Sequence, residues 1–100
     1  MPTPLTLTTR TTDGATTLVA EGEVDLSNNA TFTRALTDAI TTAAPHPLTL
    51  DLRQVDFLDS GAIHTLFTHV DDLRLVAGPL LMPILTISGL AELATIDQPG

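Results

Sequence analysis

Ser60 sits in the run Leu58-Asp59-Ser60-Gly61-Ala62, and its setting admits three roles: nucleophile, helix cap or phosphoacceptor. A hydrolase built on Asp59 and Ser60 is the weakest of the three. A nucleophile elbow asks for G-x-S-x-G, and neither an oxyanion motif nor a triad order accompanies this serine. Capping asks for less: Ser60 precedes an apolar-periodic run and is a plausible N-cap for it. A phosphate on Ser60 would add roughly −1.5 to −2 charge at a helix N-terminus, where free amides and the dipole favour an anion by about 0.3 to 1 kcal/mol and up to ~2. The fold is expected to survive that change. Asp56 and Asp59 would make the same patch strongly anionic, so a partner burying it would meet desolvation and like-charge costs of several kcal/mol. A modification of this kind switches binding rather than folding.

The remaining polar candidates read as structural. Asp51, Asp56 and Asp59 could form an acid/base pair or a hard-cation site, but no EF-hand spacing accompanies them. Asp51 alternates away from a leucine face, as a solvated strand residue does. Of His46, His64 and His69, the last two are five apart, which is not the i,i+4 spacing of a zinc helix. His64 falls in the first turn after Ser60 and can face whatever approaches it. No metal, cofactor or catalytic residue is expected.

Composition narrows the partners. The chain has 100 residues, 43% of them hydrophobic, with a net charge of −8, four arginines, no lysine and no cysteine. That supplies one core and argues against disorder. Arg10, Arg34, Arg53 and Arg74 are scattered, so there is no basic footprint for nucleic acid or an anionic membrane surface. Without cysteine there is no disulfide, thiolate nucleophile or thiol-based redox switch. Three phenylalanines with no tryptophan or tyrosine offer no platform for stacking bases or sugars. Met1 to Arg10 lacks the charged and apolar regions of a signal peptide, and no apolar run is long enough to span a bilayer. A cytoplasmic location is expected.

The elements that must position Ser60 follow from pattern. Leu5 to Thr9 alternates as a half-buried strand, Asp13-Gly14 signals a turn, and Ala15 to Glu21 resumes extended character, giving a hairpin with Gly22 at the end of its second strand. Ser27, Asn28 and Asn29 are cap residues ahead of Phe32, Ala35, Leu36, Ala39 and Ile40, so a helix is expected from about Asn29 to Ala43, stopped by Pro45 and Pro47. Leu48 to Val55 reads as a central strand buried chiefly on one face, with Val55 and Phe57 extending the apolar pattern. A helix follows from Gly61 on Ile63, Leu66, Phe67 and Val70, kept short by Asp71-Asp72 opposing its dipole. Leu73 to Ala77 reads as a strand, Gly78-Pro79 as a turn, Leu80 to Leu90 as a last helix interrupted or opened by Pro83, and Pro99-Gly100 as a frayed end. The threonine enrichment suits solvent-facing strands. The fold class is α/β: a mixed sheet of about four to five strands opening with an antiparallel hairpin, with helices packed on one face by right-handed crossovers. Residues 1–100 form one domain, its core about 5–96.

Two segments read in order carry a resemblance. Gly22-Glu23-Val24-Asp25-Leu26, followed by a helix and then Leu48-Thr49-Leu50-Asp51-Leu52-Arg53-Gln54-Val55-Asp56-Phe57-Leu58-Asp59-Ser60, resembles the STAS domain of bacterial anti-sigma factor antagonists. Ile87-Ser88-Gly89-Leu90 is similar to the family's last helix, and the likeness runs from about Leu5 to Ile96. The resemblance implies a protein that binds an anti-sigma factor with a serine-kinase fold and displaces the sigma factor. Phosphorylation by that kinase would release the antagonist, and a phosphatase would restore it. It further implies Ser60 as the phosphorylated serine, and Asp25, Asn28, Asp59, Ser60, Gly61, Ala62, Ile63 and His64 at the partner-binding surface.

Two departures stand out. Gly61-Ala62 replaces the family's usual Ser/Thr-Gly, and Ile63 to Leu73 is several residues shorter than its usual helix and turn. Both leave room for an alternative: a STAS-like interaction scaffold in a signalling complex without a phosphorylation switch. Threonine-rich edge strands leave self-association open, while the charge of −8 opposes it.

Overall fold

Asp13 and Gly14 adopt φ of 52° and 81°, the paired positive values that let two residues turn a hairpin. They join β1 (Thr6–Thr12) to an antiparallel β2 (Ala15–Val24) in the computed structural model, which describes residues 4–97. Pro99-Gly100 lies outside the described residues. The threonines of β1 are all exposed, and Thr11 meets its cross-strand partner Thr16 through a 3.2 Å hydroxyl contact. β2 does not stop at Gly22. It continues to Val24, with Gly22 at φ 103° beside an irregularity in the pairing with the next strand, a conformation that glycine adopts without a Cβ penalty.

β2 passes to α1 (Asn29–Ala43), β3 (Leu48–Leu58), α2 (Ser60–Thr68), a 3₁₀ turn at Val70–Asp72 and β4 (Leu73–Val76). Then come α3 (Met82–Ile87), α4 (Leu90–Leu93) and β5 (Thr95–Asp97). The strand order is β1-β2-β3-β4-β5, antiparallel only at β1-β2, so β3 is central. Every crossover advances by one strand in the same direction, and right-handed connections therefore bring the helices to one face. Phe32, Leu36, Leu66, Leu85 and Leu90 from the helices close over Leu18, Val24, Leu48, Leu50, Leu52, Val55 and Leu75 of the sheet, all essentially inaccessible to solvent.

Three local patterns differ from expectation. Register shifts between β2 and β3 move the buried series of β3 from Leu48, Leu50 and Leu52 to Val55 and Leu58, leaving Phe57 47% exposed. The expected last helix is split by Gly89 at φ 88°, with Pro83 in the first turn of its first half. The three residues of β5 follow it, too short a strand to show a period of two.

Asp51 also differs from expectation, being buried rather than solvated. It is only 9% exposed and is clasped by Arg53, two residues along the same strand: Nη2 to Oδ2 at 2.7 Å, Nε to Oδ1 at 3.0 Å, and the Arg53 N–H to Oδ1 at 3.0 Å. The Arg53 side-chain bond, opposed by desolvation, holds the Asp51 carboxyl below its ordinary 3.8. An ionised Asp51 thus stabilises the fold above about pH 4, and that contribution is lost as the pH falls through the lower folded value. In acid titration followed by circular dichroism, Asp51→Asn is expected to lose less stability than wild type below about pH 4. Equal losses would mean that the pair contributes nothing.

Candidate functional site

Val24 pairs with Leu58 across β2 and β3, and the Asp59 N–H donates to the Val24 carbonyl at 2.9 Å. The two parallel strands therefore end together, and the segments leaving their carboxyl ends start side by side. Asp25 to Asn28 lead into α1, and Asp59 leads into α2. This is the edge at which open α/β sheets place binding residues.

α2 is capped by Asp59, not by Ser60. Asp59 is extended, with φ −76° and ψ 173°, and its Oδ1 accepts the Ala62 N–H at 2.8 Å. A carboxylate is as good a cap as serine and adds its charge to the favourable end of the dipole. Ser60 is consequently the first helical residue, exposed, with its hydroxyl free of the capping role. The second Asp59 oxygen accepts from Asn29 Nδ2 at 3.2 Å, which ties the two segments together.

The loop before α1 is dense in short-range bonds. The Asp25 carbonyl accepts the N–H groups of Asn28 and Asn29 at 3.1 and 2.9 Å, and Asn28 Oδ1 accepts the Asp25 N–H at 2.9 Å. Asn28 stands at the N-cap position of α1, yet its side chain turns back into the loop and donates Nδ2 to the Glu23 carbonyl at 2.9 Å. Asp25 Oδ1 accepts both the N–H and the hydroxyl of Ser27. The hydroxyl bond is the main cause holding the Asp25 carboxyl below the usual aspartate value, so it is ionised at neutral pH. Between these anchored residues Leu26 projects outward, 86% exposed.

Of the residues expected at a docking surface, Ser60, Gly61 and His64 are exposed, while Asp25, Asn28, Asp59 and Ile63 are half-buried. His64 lies one helical turn after Ser60, on the same side of α2. Ala62 does not belong to that surface. Its side chain is fully buried, because the third residue of α2 faces the sheet. Two residues escaped the pattern reading: Leu26, a lone leucine with no periodic partner, and Asn29, which looked like one of three interchangeable cap residues. Asp51, Asp56 and Asp59 do not converge, since Asp51 pairs with Arg53, Asp59 caps α2 and Asp56 is exposed. Hollows of about 150 and 250 Å³ share His46 and Pro47 and are lined by neither Asp59 nor Ser60. Among the described residues no helix is long and apolar enough to cross a membrane.

Comparison with known proteins agrees with this architecture. The chain is similar in structure to an anti-sigma factor antagonist from Mycobacterium paratuberculosis, with a TM-score of 0.87 and 22% identity over 99% of this chain and 90% of that one. It is also similar to the anti-sigma factor antagonist SpoIIAA in its unphosphorylated form, with a TM-score of 0.70 and 16% identity over 95% of this chain and 89% of that one. No curated protein matches it in sequence. The family model of the STAS domain matches residues 6–83, from the first strand to the start of α3, so the chain belongs to the STAS domain family.

Proposed function

We propose that this protein is an anti-sigma factor antagonist switched at Ser60. It binds an anti-sigma factor of the serine-kinase type through the Asp25 loop and the first turn of α2, which frees the sigma factor. Phosphorylation of Ser60 by that kinase ends the complex, and a phosphatase restores it. The observation that carries this reading is the division of labour at the start of α2: Asp59 makes the cap bond, so the exposed Ser60 hydroxyl is not needed to hold the helix. The names of its structural neighbours support the same role. The serine is a substrate for another protein's chemistry, and the chain itself acts by binding.

The test is incubation with the cognate anti-sigma factor and ATP, read by intact mass. Wild type is expected to gain one phosphate and Ser60→Ala none. A phosphate on the Ser60→Ala protein would remove the site assignment. A second reading, a STAS scaffold that binds constitutively, is favoured by Gly61-Ala62 and by an α2 of only nine residues. Stable binding of wild type to its partner with no phosphate transfer would select it.

A further inference from the structure

Asn29 is the first residue of α1, yet its side chain crosses to the start of α2, where Nδ2 donates to Asp59 Oδ2 at 3.2 Å. Gly61 stands beside the same atom. A Cβ added at Gly61 would lie 2.9 Å from Asn29 Nδ2, 3.5 Å from Asp59 Oδ1 and 3.8 Å from Asn29 Cγ. A carbon at 2.9 Å is well inside the optimal separation of heavy atoms, so Asn29 would have to give way. The backbone of Gly61 is helical and needs no glycine, and glycine within a helix destabilises it relative to alanine. What the absent side chain provides here is room for the Asn29 amide.

Resting on the antagonist role proposed above, we infer that Asn29 is a positioning residue for partner docking and that Gly61 is the space it requires. Both Asp59 oxygens are then occupied, one by the Ala62 N–H within α2 and one by the Asn29 amide from α1. The carboxylate cannot turn without breaking one of these bonds. The Asp25 loop and the first turn of α2 are thereby set relative to each other before the partner arrives, and Ser60 is presented between Asp59 and Gly61. Order established in the free protein does not have to be supplied on association.

The test uses Asn29→Ala, Gly61→Ala and the double variant in the full chain. In the isolated protein, amide hydrogen exchange of Ala62, followed by NMR, is expected to speed up in both single variants as the Asp59 cap loosens. Affinity for the kinase-type anti-sigma factor is expected to fall about 3- to 10-fold in each, the worth of one hydrogen bond. Gly61→Ala is expected to melt no lower than wild type, so that binding falls while the fold holds. The double variant is expected to bind no worse than Asn29→Ala, because both changes remove one device. Wild-type affinity in Gly61→Ala, losses that multiply in the double variant, or unchanged Ala62 exchange in Asn29→Ala would each overturn the inference. Should wild type bind no anti-sigma factor at all, the antagonist role falls, and Ala62 exchange still decides the clamp.

Discussion

Ser60→Asp is expected to bind the anti-sigma factor at least about 100-fold more weakly than wild type while melting no more than about 2 °C below it, a separation that follows from the two environments the side chain meets. In the free protein, residue 60 is exposed at the first position of α2, where the helix dipole favours a carboxylate by about 0.3 to 1 kcal/mol. In the proposed complex, the same carboxylate would be buried against the partner beside the carboxylates of Asp25 and Asp59. Burying one more negative charge there costs several kcal/mol in desolvation and repulsion, and each ~1.4 kcal/mol is tenfold in affinity. Isothermal titration of both proteins against one anti-sigma factor preparation, with thermal melts of each alone, measures the two quantities separately. Equal affinities would remove the electrostatic basis of the switch. A large fall in melting temperature would mean that the charge acts on folding instead.

That separation was legible in sequence only in outline. The serine, the acids around it and the strand-to-helix turn follow from residue type and spacing, and the alternation of strands with helices yields the sheet and its one helical face. What spacing cannot convey is which of two adjacent polar residues takes a given bond. Asp59 and Ser60 are both good caps, and the choice between them depends on the backbone leaving β3, where the Asp59 N–H is pinned to Val24. Asp51 escaped for a related reason: alternation shows which side of a strand a residue faces, but not that it is buried there and clasped by Arg53. The β2–β3 irregularities change the parity of β3 without a local signal beyond Gly22. Asn29 and Gly61 lie 32 positions apart, and only their three-dimensional meeting gives the missing side chain a meaning.

The largest effect on stability is expected from Phe32→Ala, which should lose about 3–5 kcal/mol. Phe32 is the one phenylalanine among the described residues that is fully buried, since Phe57 is exposed and Phe67 half-buried. It lies in the first turn of α1, where its N–H donates to the Asn28 carbonyl at 3.0 Å. Removing the ring leaves a void between α1 and the sheet that the surrounding close-packed side chains fill only in part. A domain of this size has only about 5–15 kcal/mol in total, and a loss of 3 kcal/mol lowers its melting temperature by roughly 12 °C or more. Urea unfolding is expected to show a lower midpoint with an unchanged slope, as for a cavity in an otherwise native fold. Phe32→Leu keeps most of the volume and is expected to fall between the two, which preserves a measurable native state if the alanine variant does not fold. A loss below about 1 kcal/mol in Phe32→Ala would mean that α1 is not held by this contact. The consequence reaches the proposed docking edge, because the same turn of α1 carries Asn29. Phe32→Ala should therefore weaken binding in proportion to the folded fraction lost, and Ser60→Asp should weaken it with the folded fraction intact. Measured together, the two variants distinguish a surface that has lost its support from one that has changed its charge.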